Sequence, residues 1–137
     1  MLDDLVWDNE RTDDTEDALA DLADLLGIVS QRPERDFGRG SDVLWALGDG
    51  KYAVIEAKSG ATGDLICKKD INQLSGSVNW CRQEYGEGTT VVPLLMHPST
   101  FIETSGTPPQ GTRVLNPNKL EALKASVVAY ATAVAFH

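Results

Sequence analysis

A surplus of positive charge is the first thing missing from this sequence. Twelve Lys and Arg stand against 21 Asp and Glu, for a net charge of −9 over 137 residues. A sequence-blind DNA binder draws most of its affinity from phosphate neutralisation and is normally basic, so the isolated chain is poorly suited to that role. Cysteine is nearly absent too: Cys67 and Cys81 are the only two. They are too few for a thiolate metal cage, and a reduced, cytoplasmic protein is expected. A cationic segment leading into an apolar one is also missing, because the first residues, MLDDLVWDNE, are acidic, so no signal peptide is expected there. The longest strongly apolar stretch, residues 125–136, is interrupted by Ser126, Tyr130 and Thr132. It falls short of the roughly 20 residues a bilayer requires, so no membrane association is expected. No segment repeats or is low in complexity, which leaves one ordinary domain.

The acidic excess is local. Residues 1–31 carry ten acids and one base, residues 32–69 seven bases and six acids, and residues 70–137 four bases and five acids. Everything after the first 31 residues is thus close to neutral. Residues 1–12 read as an acidic, poorly ordered lead-in, and residues 13–137 as a single domain.

Periodicity supplies the elements. Asp13, Asp14 or Thr15 suits the cap of a helix ending near Leu26, with Leu19, Leu22, Ala23 and Leu26 as its apolar stripe and Gly27 as its stop. Residues 28–31 form a candidate short strand, and QRPERDFGRGS (Gln31 to Ser41) reads as a polar turn region. DVLWAL (Asp42 to Leu47), the turn GDG and KYAVIEAK (Lys51 to Lys58) form a hairpin. A loop, SGATG, precedes a helix from Lys68 or Lys69 to about Tyr85. TTVVPLLMH (Thr89 to His97) is a buried strand, residues 113–115 a short one, and Pro117 opens a last helix. Central strands apolar on both faces imply helices on each side, hence a three-layer α/β domain with a central mixed sheet.

One constellation needs explaining. A turn centred near Asp49 pairs residues whose numbers sum to about 98, which sets Asp42 opposite Glu56; alternation then puts Lys58 on the same face. Facing carboxylates repel each other and are normally destabilising. A divalent cation takes such oxygen ligands readily, and an adjacent lysine can hold a water in its deprotonated form. That combination suits metal-assisted phosphodiester hydrolysis.

Asp42, thirteen intervening residues, then Glu56-Ala57-Lys58 resembles the active-site signature of the PD-(D/E)XK nuclease superfamily, although Ser41 stands where the nominal proline would be. The element order over most of the chain is similar to that family's core. The resemblance implies a restriction-endonuclease-like fold and a Mg²⁺-dependent endonuclease, Mn²⁺ being able to substitute, with DNA as the expected nucleic acid. It implies metal ligation by Asp42, Glu56 and the Ala57 carbonyl. Lys58 would orient the attacking water. Glu16 resembles the helix-borne acid that some members add to the metal site. Lys69 and Gln73 resemble the K-x-x-x-Q accessory motif, sharing one helical face, and Arg39, Ser41 and Ser59 would lie near the substrate. GRGSDVLW and QLSGSVNW are similar to nuclease domains attached to larger bacterial helicase or antiviral defence proteins, and a homodimer would suit double-strand cutting.

Plainer readings stand beside these. Asp42, Glu56 and Lys58 could be a surface salt-bridge cluster, Glu16 a first-turn acid serving the helix dipole, and Lys69 and Gln73 solvated helix residues. Arg32, Arg35 and Arg39 read either as a phosphate-facing cluster or as a polar loop. His97 reads as a strand-end residue with a local hydrogen bond, and Trp45 and Trp80 as core. The rival function is a catalytically silent nuclease-fold module that docks nucleic acid or protein, a role the acidic first 31 residues would suit.

Overall fold

The computed structural model describes residues 12–58, 64–104 and 106–135. The expected lead-in and the SGATG loop therefore lie outside the described residues, apart from Thr12. Helix α1 (Thr12–Leu25) leads to strand β1 (Val29–Gln31), helix α2 (Pro33–Phe37), and strands β2 (Val43–Gly48) and β3 (Lys51–Ala57). Helix α3 (Lys68–Tyr85), strands β4 (Thr90–Met96) and β5 (Arg113–Leu115), and helix α4 (Pro117–Ala135) follow. The sheet has the order β1-β2-β3-β4-β5. It is antiparallel from β1 to β3 and parallel from β3 to β5, and so mixed as expected.

Two cores sandwich it. On one face Leu19 and Leu22 of α1 and Leu120 and Val127 of α4 pack on Val43, Ile55, Ala57 and Met96. On the other, Ile71, Leu74, Val78 and Cys81 of α3 pack on Leu44, Val54 and Leu95. Odd-numbered positions of β2 and β3 thus face α1 and α4, while even-numbered ones face α3. Glu56 takes an even position on the α3 side, near the end of β3. No helix among the described residues is long and apolar enough to cross a membrane.

The hairpin follows its sequence closely. Asp49 (φ 55) and Gly50 (φ 73) form a two-residue turn with both φ values positive, the geometry whose twist matches the flanking strands. Val43 pairs with Ile55 and Leu44 with Val54, the expected register, with one irregularity between Ala46 and Gly48. Strand β2, however, begins at Val43, so Asp42 lies one step outside the ladder instead of opening it.

The polar turn expected over Gln31 to Ser41 contains a short helix instead. Pro33 sits in its first turn, where the missing N–H is no loss, and Gly38 (φ 76) ends it by donating its N–H to the Glu34 carbonyl at 2.9 Å. Five residues are too few to display a hydrophobic period, which is why the helix is invisible to a pattern search. Its consequence is positional: it holds Glu34 over the end of the hairpin.

Candidate metal centre

Three carboxylates converge where β2 begins and β3 ends. Glu34, Asp42 and Glu56 each offer an oxygen, and the three oxygens lie within 4.8 Å of one another. Glu56 is held from the sheet and is almost wholly buried, at 4% exposure. Ser77, one turn below Gln73 on α3, donates its hydroxyl hydrogen bond to Glu56 Oε1. Asp42 is half-buried, and its Oδ2 accepts the Ala57 N–H at 2.9 Å. Lys58 and Gln73 complete the wall of a cavity of about 300 Å³ that also contains the three acids.

The electrostatics follow from crowding like charges in a partly dry place. Burial, followed by repulsion from Asp42, pushes the Glu56 carboxyl up to about 9. Glu34 rises to about 7, first through its hydrogen bond to Asp42 and then through burial. Burial by itself would raise Asp42 as well. Hydrogen bonds from Glu34 and Glu56, the Ala57 amide and the nearby Lys58 instead hold it below its usual range. Asp42 is therefore the ionised centre of the group, with protons retained on its neighbours. Divalent cations compete with such protons, and an all-oxygen donor set of three carboxylates fits a hard ion such as Mg²⁺ or Mn²⁺.

No family model, curated protein or solved structure matches this chain.

Of the residues singled out from the sequence, Asp42, Glu56, Lys58 and Gln73 line one cavity. Ala57 adjoins it through its amide, while its methyl is buried in the opposite core. Glu16 is not in the three-acid group. It is buried and ion-paired with Arg32 in an adjoining cavity that Glu34 and Asp42 also line. Ser41 is fully buried and donates its hydroxyl to the Val43 carbonyl at 2.8 Å, which turns it into a backbone brace instead of a substrate contact. Lys69 is exposed on α3 and does not line this cavity. Arg39 lines a separate groove. Ser59 lies outside the described residues.

The three arginines do not form one cluster: Arg32 and Arg35 stay together and Arg39 stands apart. Arg32 and Arg35 are both engaged by Asp17, and Arg39 lies past the end of the helix. His97 is buried and accepts the Ser99 N–H at 2.9 Å, the local bond expected of a strand-end histidine. Two members of the site escaped the sequence reading. Ser77 was findable, being four residues after Gln73 on the same helical face. Glu34 carried only the weaker signal of a proline before it.

Proposed function

We propose that this chain is a divalent-cation-dependent nuclease domain of the PD-(D/E)XK, restriction-endonuclease-like type that hydrolyses phosphodiester bonds, with DNA as the expected substrate. One observation carries the reading: three carboxylates within 4.8 Å share a cavity wall with a lysine and a glutamine.

Each residue has a task that its surroundings favour. Asp42, already ionised, is the anchoring ligand. Glu56 and Glu34 give up their protons when a cation arrives, and Ser77 keeps the Glu56 carboxylate in one orientation. A bound cation would polarise the phosphoryl oxygen and acidify water. The Lys58 ammonium faces the same cavity, where it can orient the attacking water and offset negative charge developing on the phosphate. The Gln73 amide, on the same cavity wall, would donate to a non-bridging phosphate oxygen.

The test is a panel of linear duplex, nicked, branched and single-stranded DNA together with RNA, each incubated with Mg²⁺ or with EDTA. Cleavage of at least one substrate in Mg²⁺ and of none in EDTA is expected. A folded protein that cuts nothing on the panel would instead favour a silent docking module, the reading that suits the acidic residues 1–31.

A further inference from the structure

A second groove is lined by Arg39, the sequence neighbour of Gly40 in the acidic cavity. It has a volume of about 420 Å³ and is lined by Gln31, Phe37, Arg39, Trp80, Glu84 and Tyr85. Phe37 is 72% exposed and Tyr85 40%, an unusual pairing of bare aromatic rings beside an arginine. Arg39 is exposed and makes no ion pair among the described residues. Tyr85 is held in place by other rings. Tyr85 stacks on Tyr52 with centroids 4.3 Å apart, and Trp80 meets Tyr85 edge-on at 6.3 Å.

The two cavities share elements. Helix α2 carries Glu34 in one and Phe37 in the other, three residues apart. On α3, Gln73 and Ser77 line the acidic cavity, and Trp80 and Glu84 continue the same helical stripe into the groove. At a rise of about 1.5 Å per residue, Trp80 and Glu84 lie roughly 4 to 10 Å along the helix from Ser77. A nucleic-acid strand advances about 3.4 Å per stacked nucleotide and farther when unstacked. A phosphate at the carboxylates therefore puts the base one to three nucleotides away over the aromatic groove.

We infer that this groove is a stacking site for an unpaired nucleotide of the strand whose phosphate occupies the carboxylate cavity; the inference rests on the nuclease reading. Aromatic faces bind bases without regard to sequence, but only bases whose faces are not already stacked inside a duplex. Arg39 adds a cationic phosphate contact on the groove side, beyond the Lys58 of the carboxylate cavity. Glu84 offers an acceptor for an exocyclic base amine. The substrate class is thus a single strand, or a single-stranded segment of a branched or frayed nucleic acid.

Binding in EDTA tests this apart from cleavage. The labelled probes are a short mixed-sequence DNA single strand, the same sequence as duplex DNA, and its RNA counterpart; anisotropy and tryptophan fluorescence are the readouts. The single strand, as DNA, RNA or both, is expected to bind more tightly than duplex and to quench Trp80. Phe37→Ala and Arg39→Ala, both at exposed positions, should each weaken that binding about tenfold or more. Duplex binding as tight as the single strand, no binding, or affinity unchanged in both variants would overturn the inference. If cation binding at the carboxylates persists in that case, the metal-centre reading survives and only the groove is lost.

Discussion

The Asp42 carboxylate accepts the Ala57 amide at 2.9 Å, tying the residue before β2 to the last residue of β3. The side chain thereby takes up the backbone donor where the ladder ends. The same bond fixes Asp42 beside Glu56, whose charge it opposes. An arrangement that crowds carboxylates is costly in the absence of protons or a cation.

Lys58→Ala should leave the fold intact and abolish turnover. The side chain is only half-buried, so a stability change within about 1 kcal/mol is expected, against at least a hundredfold loss of cleavage, the order of magnitude for a lost water-orienting or charge-stabilising group. Thermal melting and a Mg²⁺ cleavage assay measure the two effects. Cleavage at the wild-type rate would remove Lys58 from the mechanism.

Stability without added cation should fall as pH rises. In the folded protein Glu56 keeps its proton up to about 9 and Glu34 to about 7, whereas the ordinary value is 4.5 for both. Between those limits the unfolded chain binds fewer protons than the native one, so stability declines towards alkaline pH. Asp42 acts in the opposite sense, but only in acid, because its value is lowered. Mn²⁺ replaces the missing protons and should therefore raise Tm more at about pH 8 than at about pH 5. Glu56→Gln should flatten the metal-free pH slope. Equal Mn²⁺ effects at both pH values would contradict proton–cation competition at the cluster.

Ser77→Ala removes the hydroxyl that favours the ionised form of Glu56. A loss of about 1–2 kcal/mol of stability is expected from deleting a buried bond to a carboxyl. The Glu56 carboxyl should move further up, so cation affinity should drop at neutral pH and recover as pH is raised. A drop that does not depend on pH would mean that Ser77 acts on something other than the protonation of Glu56.

Gly40→Ala should be among the more damaging single changes. Gly40 has φ +98, and an added Cβ would lie 2.8 Å from the Pro33 Cβ and 2.9 Å from the Trp80 ring. Strain and overpacking together suggest a loss of about 2 kcal/mol or more. Chemical denaturation measures it, and an unchanged midpoint would show that α2 and α3 do not need this close approach.

Much of the scaffold could be read directly from the chain. The Asp49-Gly50 turn and the two-residue alternation of Val43 to Ile55 fix the hairpin register, and proline at 117 marks the start of α4. That register alone brought Asp42, Glu56 and Lys58 to one end of the sheet. Glu34 was hidden because its position depends on α2, whose five residues have no period, and on the close approach of Gly40 to Pro33 and to Trp80. Glu16 entered the expected metal site only through its resemblance to a helix-borne acid of the nuclease family. Spacing carries no information about Arg32, which comes from another element and pairs with it.

The most direct test is calorimetric titration of Mn²⁺ into the wild-type protein and into Asp42→Asn at about pH 8, where protons compete less than in acid. A saturable site in the wild type, weakened at least about tenfold in the variant, is the expected result. Identical binding curves for the two proteins, or no binding to the wild type, would contradict a cation site at Glu34, Asp42 and Glu56.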